Sequence, residues 1–270
     1  MKKNYKVIIG YDGTRYFGWE HQPNKDTIQG KIEAVLEHLC ETPEETEKEA
    51  AAQKLALETA GGMKQPLVEV IGAGRTDAGV HAQGMVANFF LDTELDTEAL
   101  RDYMNHYLPD DIVIKEVREA SDRFHSRYNA VGKTYRYTCF DGVTKPIFDR
   151  KYVYTLEQRL DVDKMKEAAK YLIGEHDFCS FCKNPQKKKS TVRTVDKIEI
   201  MREKDYVTFT FHGNGFLRNM VRILVGTLLG VGMCEIEPEK MKDILEAKER
   251  ETAGVTAPAK GLCLIEVDYF

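Results

Sequence analysis

Hydrophobic and polar positions in the first half of the chain form short strand-like runs separated by helix-like stripes. The runs either alternate or are continuously apolar over five to nine residues, whereas the stripe that follows Asp26 and Thr27 repeats with helical spacing. The predicted strands are Tyr5–Tyr11, Leu67–Ile71, Gln83–Leu91 and Ile112–Val117, and the predicted helices are Ile28–Leu39, Pro43–Ala60 and Asp96–His106. The pattern is typical of a mixed α and β domain.

The second half repeats this order of elements. Its clearest strand, Lys133–Phe140, alternates so that Tyr135, Tyr137 and Cys139 share one face while Arg136 shares the other with two threonines. The other predicted elements are helices at Val162–Ile173, Phe216–Leu229 and Pro238–Ala247 and strands at Val195–Met201, Tyr206–Phe211 and Leu262–Tyr269.

Each half therefore follows an approximate β-α-β-β-α-β order, which is the split arrangement of ferredoxin-like domains. We predict an α+β fold in which two such halves, residues 1–122 and 123–270, join through a largely antiparallel sheet. A cleft between the halves is the expected place for a functional site. No sequence repeat accompanies the repeated order of elements.

The amino-acid composition indicates which broad class of protein this is. The chain has 270 residues, of which 31% are charged and 42% hydrophobic, and this is ordinary for a soluble globular protein. No signal peptide precedes the first strand, and no apolar run has the length of a membrane span. We expect a cytoplasmic protein without a membrane partner.

Charge is unevenly distributed around the net value of -5. Glu41–Glu49 holds five acidic residues and one lysine, whereas Lys183–Arg193 holds five basic residues and no acidic one. Such asymmetry permits a basic binding face on an acidic protein. The alternative is that both blocks are solvated loops.

The six cysteines give no disulfide framework, because most lie within apolar patterns typical of buried thiols. Cys179 and Cys182 form a lone C-x-x-C, with His176 upstream. Zinc normally takes four ligands, and no second pair with suitable spacing occurs. We therefore predict no metal site.

Candidate chemistry begins with the glycine loop, residues 72–81, which carries Arg75 and Asp77 among three glycines after a predicted strand. It lacks the third glycine of a dinucleotide fingerprint, and the chain has no phosphate-binding P-loop. An ionised carboxylate in such a loop can act at a sugar carbon, although no second acid for a retaining glycosidase is evident. The alternative is a surface turn with an ion pair.

Two further clusters combine cations with aromatic or glycine residues. Arg123–Tyr137 interleaves arginines and Lys133 with tyrosines, which suits phosphate contact and base stacking. Phe211–Arg222 leads from a Gly-Asn-Gly turn into a predicted helix, with Arg218 and Arg222 four residues apart on one face. The alternative for both is a packed core whose charged residues face water.

These clusters, in this order, resemble the tRNA pseudouridine synthase A family. The resemblance spans nearly the whole chain, and its most specific part is Gly74–His81. The other matching stretches are Tyr11–Thr14 with Tyr16, Gly18 and Trp19, Thr27–Gly30, Leu108–Pro109 with Asp111 and Ile112, Phe124 with Arg127, Lys133–Tyr137, Gly174–Phe178 and Phe216–Gly230.

The resemblance implies conversion of uridine to pseudouridine at positions 38, 39 and 40 of the tRNA anticodon stem-loop, by a homodimer without cofactor or metal. It implies that Asp77 is the catalytic carboxylate, that Arg75 is its companion and that Tyr135 contacts the target base. Flipping the uridine out of its stack fits this interpretation. The further predicted RNA contacts are His81, Arg127, Lys133, Arg136, Arg218 and Arg222.

Three departures from the family pattern leave the target RNA open. The segment 43–66 is longer than expected, Lys183–Lys189 is unusually basic, and Glu20 stands where a glutamine usually follows the tryptophan. A paralogue acting on another RNA such as ribosomal RNA, and an inactive RNA-binding module, are the alternatives that these departures leave.

Overall fold

The computed structural model describes residues 1–40, 66–184 and 190–270. The strands are β1 Lys3–Tyr11, β2 Ile71–Gly72, β3 His81–Leu91, β4 Ile112–Ala120, β5 Ala130–Phe140, β6 Tyr154–Thr155, β7 Gly174–Asp177, β8 Val192–Glu203, β9 Tyr206–Gly213 and β10 Leu262–Tyr269. The α-helices are α1 Ile28–Cys40, α2 Thr97–Tyr107, α3 Val162–Ala169, α4 Met220–Gly232 and α5 Lys240–Ala247. The predicted helix Pro43–Ala60 and the lysines 187–189 lie outside the described residues.

One sheet runs through both halves of the chain in the order β4-β1-β3-β10-β5-β9-β8-β7. Its neighbours along this path pair antiparallel except β3 and β10, which pair in parallel. The last strand joins the halves, because Cys263 pairs with His81 of β3 while Leu264 pairs with Tyr135 of β5. The predicted α+β fold with a largely antiparallel sheet is confirmed. The division after residue 122 stays a prediction.

The buried residues of sheet and helices form one hydrophobic core. Tyr5, Val7 and Ile9 of β1 belong to it, as do Tyr135 and Tyr137 of β5. Helix α4 is buried along almost its whole length. It packs so closely on the segment before β10 that a Cβ on Gly226 would lie 1.8 Å from the carbonyl oxygen of Val255. This close approach requires glycine at position 226.

In the described ranges, none of the helices combines the length and the apolar character that crossing a bilayer requires.

The predicted strand Leu67–Ile71 is wrong over most of its length, because only Ile71 and Gly72 pair with β3. The residues before them bond to α1 instead. There the backbone N–H of Val70 donates to the buried carboxylate of Glu33 at 3.1 Å, and that of Leu67 donates to Glu37 at 2.8 Å. Side-chain carboxylates satisfy the N–H groups that a sheet neighbour would otherwise have bonded.

The predicted start of the long apolar helix at Phe216 is also wrong. The helix begins at Met220, and Asn219 before it has a left-handed backbone with φ of 60°. Arg218 therefore lies in the preceding turn and does not share a helix face with Arg222. The local pattern missed this break because apolar positions continue through the turn.

Candidate active site

The glycine loop is held in place from several directions. The backbone N–H of Trp19 donates to the Thr76 carbonyl at 3.1 Å, and the hydroxyls of Thr76 and Tyr11 are 2.8 Å apart. Gly18 has φ of 97°, and a Cβ there would lie 2.6 Å from the same carbonyl. The loop between β2 and β3 is thus fixed by contacts from β1 and the segment that follows it, which suits a rigid functional site.

Asp77 sits in this loop and meets the start of α4 from the other half of the chain. Its Oδ2 accepts from the side-chain amide of Asn219 at 2.5 Å and from Nη1 of Arg222 at 3.2 Å. Arg222 is mostly buried, and its Nε donates to the Ala257 carbonyl at 2.7 Å. The Asp77 side chain keeps 35% of its surface exposed. The Asp77 carboxyl group is therefore both held and accessible.

The sequence places Arg75 beside Asp77, but the structure pairs it with Glu20 instead. The Arg75 side chain is 62% exposed at the mouth of the cleft. The role of Arg75 as companion of Asp77 stays a prediction. The arginine that contacts the Asp77 carboxylate is Arg222.

Tyr135 projects from β5 into the same cleft. Its ring is 9% exposed and meets the ring of Phe216 edge to face, with centroids 5.3 Å apart. Burial raises the pKa of the Tyr135 phenol, and the charge of Asp77 raises it further. The phenol therefore stays protonated at neutral pH, and its ring gives a flat apolar wall beside the carboxylate.

These groups line one cleft of about 870 Å³. Among its described lining residues only Glu20 and Asp77 are acidic, whereas eight are basic. The basic residues are Lys25, Arg75, Arg127, Lys133, Lys183, Arg193, Arg218 and Arg222. An acidic protein thus presents a strongly basic cleft, which suits a polyanion.

Lys133 is the most perturbed cation in the cleft. Its Nζ donates to the Ala73 carbonyl at 2.8 Å, at the beginning of the glycine loop. Burial, together with the charges of Arg127 and Arg193, lowers the pKa of Lys133 to about 8. A cation whose charge is disfavoured by other cations gains most when an anion arrives.

The structure separates the other predicted RNA contacts into two groups. Arg127 and Arg218 line the cleft with Asp77. Arg136 and His81 instead line a second pocket of about 350 Å³, and Arg136 lies apart from Tyr135 because successive residues of β5 face opposite sides of the sheet.

His81 is a buried structural group. Its Nδ1 accepts from the backbone N–H of Gly13 at 3.1 Å, and its Nε2 lies 3.2 Å from the Lys260 carbonyl. Burial lowers the pKa of His81 even though Asp12 opposes this shift. Both contacts fit a neutral ring protonated on Nε2, so the approach of Asp12 to Nδ1 is not a true ion pair. The predicted contact of His81 with RNA stays a prediction, and its place is the second pocket rather than the cleft that holds Asp77.

In the part of the chain that the structure describes, no group of three or more histidine, cysteine or acidic side chains comes together as a metal site. Cys179 and Cys182 are free thiols, and Cys182 lines the cleft.

Comparison with known proteins relates this chain to one enzyme family. The family described as tRNA pseudouridine synthase matches residues 7–129 and 168–270. The tRNA pseudouridine synthase A of Clostridium kluyveri is 42% identical over 99% of this chain and 100% of its own length. The tRNA pseudouridine synthase A 2 of Bacillus cereus strain ZK / E33L is 44% identical over 98% and 99% respectively.

A solved Cbf5-Nop10-Gar1 complex aligns with a TM-score of 0.32 and 15% identity, over 96% of this chain and 57% of that chain. The full-length sequence relatives carry the assignment. The chain belongs to the tRNA pseudouridine synthase family. The predicted enzyme class, an isomerase, is confirmed by this membership.

Sequence reasoning assigned no role to three groups that the structure brings to the site. From the sequence, Asn219 is only a position within the predicted helix Phe216–Leu229, Glu20 is only a departure from the family pattern, and Arg193 is only part of a basic block. Nothing local signals that Asn219 reaches Asp77, because an asparagine before an apolar helix is typical of an ordinary N-cap. The basic block was the one usable signal for Arg193.

Proposed function

We propose that this protein isomerises uridine to pseudouridine in tRNA and that Asp77 is its catalytic carboxylate. The observation that carries the proposal is the Asp77 side chain held by Arg222 beside the Tyr135 ring, within a basic cleft. Family membership supplies the reaction, and the cleft supplies a carboxylate, a stacking surface and an electrostatic environment suited to RNA.

RNA binding begins with contacts between the phosphate groups of the RNA and the basic residues of the cleft. Arg127, Lys133 and Arg218 line it and contribute contacts to the RNA backbone. The target uridine leaves its stack to reach Asp77, since the carboxylate lies inside the cleft and a stacked base cannot reach it. Arg75 lies at the mouth of the cleft. There its contact with Glu20 is replaced by a contact with the RNA, which helps to hold the target uridine out of its stack.

The chemistry is a rearrangement within one nucleotide. The N1–C1′ bond breaks, uracil turns, a C5–C1′ bond forms, and the proton on C5 is removed while N1 gains one. No atom is lost or added, so the balance needs no oxidant, reductant or cofactor. Asp77 assists glycosidic cleavage by attack on the sugar, by attack on the ring or by deprotonation of the ribose, and these three routes share the same carboxylate.

Tyr135 supports the base during this turn. Its apolar ring beside Asp77 suits stacking on uracil. The raised pKa of the phenol disfavours the phenolate as the base that removes the C5 proton. Any proton relay through Tyr135 therefore passes through its neutral hydroxyl group.

The finer assignment extends the proposal to the anticodon stem-loop, positions 38, 39 and 40, and to a cytoplasmic homodimer. It rests on the resemblance of the Asp77 loop and the collinear motifs to the pseudouridine synthase A family. Sedimentation of the purified protein tests the dimer, and a monomeric mass at micromolar concentration would exclude it.

Mapping pseudouridine across total RNA from cells with and without this protein tests the substrate. The proposal expects loss of the modification in tRNA anticodon stem-loops only. Loss of pseudouridine from ribosomal RNA alone would show that ribosomal RNA, not tRNA, is the substrate. If nothing is lost and the purified protein also leaves tRNA transcripts unmodified, the chain is an inactive RNA-binding module.

A further inference from the structure

Asn219 breaks a local rule at the start of α4. Asparagine before a helix normally turns its side chain back to cap the first free N–H groups. Here no side-chain cap bond forms, and the backbone is left-handed, with φ of 60° and ψ of 6°. Departures of this kind are expected at functional sites, where a side chain is used for something other than local stability.

The Asn219 side chain instead forms a hydrogen bond with Asp77. The Asn219 amide donates to Oδ2 of Asp77 at 2.5 Å, and Arg222 donates to the same oxygen at 3.2 Å. Within residues 1–40, 66–184 and 190–270, neither Asn219 nor Arg222 bonds to Oδ1, and no other hydrogen bond to that oxygen is formed. Two donors thus act on one oxygen of the carboxylate and leave the other free.

We infer that Asn219 is a positioning residue that, together with Arg222, holds Oδ2 of Asp77 and presents Oδ1 as the oxygen that meets the uridine. This inference rests on the proposed function, since it concerns the same carboxylate. The inference adds to the proposed function which oxygen of Asp77 reacts and which residue of the opposite half orients the carboxylate.

Two features make this arrangement effective. Both donors come from the beginning of one buried helix, and Arg222 is itself anchored to the Ala257 carbonyl, so the pair moves as a unit. Two hydrogen bonds to one oxygen also fix the rotation of the carboxylate about its Cβ–Cγ bond.

The residue type follows from the backbone. A left-handed conformation is tolerated by glycine and, among residues with a side chain, best by asparagine and aspartate. Glycine supplies no donor, and aspartate would set a second negative charge against Asp77. Asparagine alone of the three combines the backbone with a neutral donor of the right length.

The test compares Asn219→Gly with Asn219→Ala. Glycine keeps the left-handed backbone and removes the donor, whereas alanine also strains the backbone. We expect kcat for pseudouridine formation to fall roughly 10- to 100-fold in both variants, because one charge-assisted hydrogen bond is lost. The KM for tRNA should stay close to that of the wild type, and the melting temperature should fall further for alanine.

Lys204→Gly is the matched control, because Lys204 is also left-handed, with φ of 54°, in the β8–β9 turn outside the cleft. It should leave kcat unchanged. An Asn219→Gly variant with wild-type kcat would overturn the inference. A loss of kcat that merely follows a loss of folded protein, seen equally in the control, would also overturn it.

The pH profile of the Asn219→Asp variant distinguishes a positioning role from a purely structural one, because a structural role would leave that profile unchanged. While the introduced carboxyl group is protonated it still donates to Asp77, whereas its ionised form repels Asp77. The kcat of this variant should therefore fall as pH rises through the raised pKa of the pair, a limb absent from the wild type. An unchanged pH profile would contradict the inference. Failure of the proposed function is seen separately, as an active Asp77→Asn variant.

Discussion

Arg222 and Asp77 form an ion pair between residues that are 145 positions apart in the chain. The pair joins the glycine loop of the first half to the first turn of α4 in the second half. The site therefore exists only when both halves are folded together, because neither half alone contains both Asp77 and this cationic partner.

Replacing Arg222 tests this partnership. Arg222→Met should lower kcat roughly 10- to 100-fold, since a charge-assisted bond to Asp77 is lost, and Arg222→Lys should retain part of the activity. The loss of the bond to Ala257 should lower the free energy of unfolding by about 1 kcal/mol. Single-turnover kinetics and urea unfolding measure the two effects separately.

Arg101→Met is the control for Arg222, because Arg101 forms an exposed ion pair with Asp102 on α2 and lies outside the cleft. It should change neither kcat nor tRNA affinity. Full activity of Arg222→Met would show that Asp77 needs no cationic partner.

Glu20 is predicted to compete with RNA for Arg75. Glu20→Gln removes one of the two acidic groups among the described residues of the cleft and frees Arg75, so tRNA should bind about threefold more tightly, the scale of one exposed ion pair. The dependence of the binding constant on salt should become steeper. Filter binding of the variant across a salt series checks both. Weaker binding by the variant would mean that Glu20 itself supports the RNA.

Lys133 makes tRNA affinity depend on pH. Its pKa of about 8 means that it is charged below pH 8 and loses its proton above it, whereas a bound phosphate favours the charged form. The affinity should therefore be highest below pH 8 and fall as pH rises beyond it, with proton uptake on binding. Calorimetry of the Asp77→Asn protein in buffers of different ionisation enthalpy measures this uptake.

In Lys133→Met the affinity should be lower and this uptake should disappear. Lys170→Met, which replaces an exposed lysine outside the cleft, should keep the wild-type behaviour. Proton uptake that persists in Lys133→Met would assign it to another group.

His212 makes stability depend on pH. It lies between Asp196 at 2.5 Å and Asp268 at 2.9 Å, and these bonds raise the pKa of His212 in the folded state, with Asp196 the larger cause. The stabilisation is therefore fully present below the unfolded pKa of about 6.5 and is lost as pH rises through the higher folded value.

His212→Gln should thus lower the free energy of unfolding by at most about 1 kcal/mol near pH 6, since the ring is partly exposed. The difference from the wild type should shrink towards pH 9. Urea unfolding at several pH values provides the test, and Asp196→Asn should show the same trend. A difference in the free energy of unfolding that grows with pH would contradict the raised pKa of His212 in the folded state.

The sequence predicted the regular elements well where one physical pattern dominated. The alternation of β5 correctly placed Tyr135 and Tyr137 on one face, where both are buried, and the last strand has the predicted bounds. It failed at Leu67–Val70, where the buried Glu33 takes the place of a strand neighbour. A carboxylate that bonds to backbone N–H groups leaves no mark on local periodicity.

The site was only partly predictable for the same reason. The glycine loop marked Asp77, and the basic block marked the neighbourhood of Arg193. The partners of Asp77 could not be found, because they depend on how α4 packs and on the left-handed turn at Asn219. The direction of the Arg75 side chain could not be predicted either, because it pairs with Glu20, a contact across 55 residues of chain.

The most direct test of the central claim is pseudouridine formation in tRNA by Asp77→Asn, measured together with tRNA binding. Asparagine keeps the size of the side chain and removes the negative charge that the reaction uses. The account predicts that tRNA still binds with an affinity close to that of the wild type while no pseudouridine forms, even after prolonged incubation. Pseudouridine formation by the variant at the wild-type rate would contradict it.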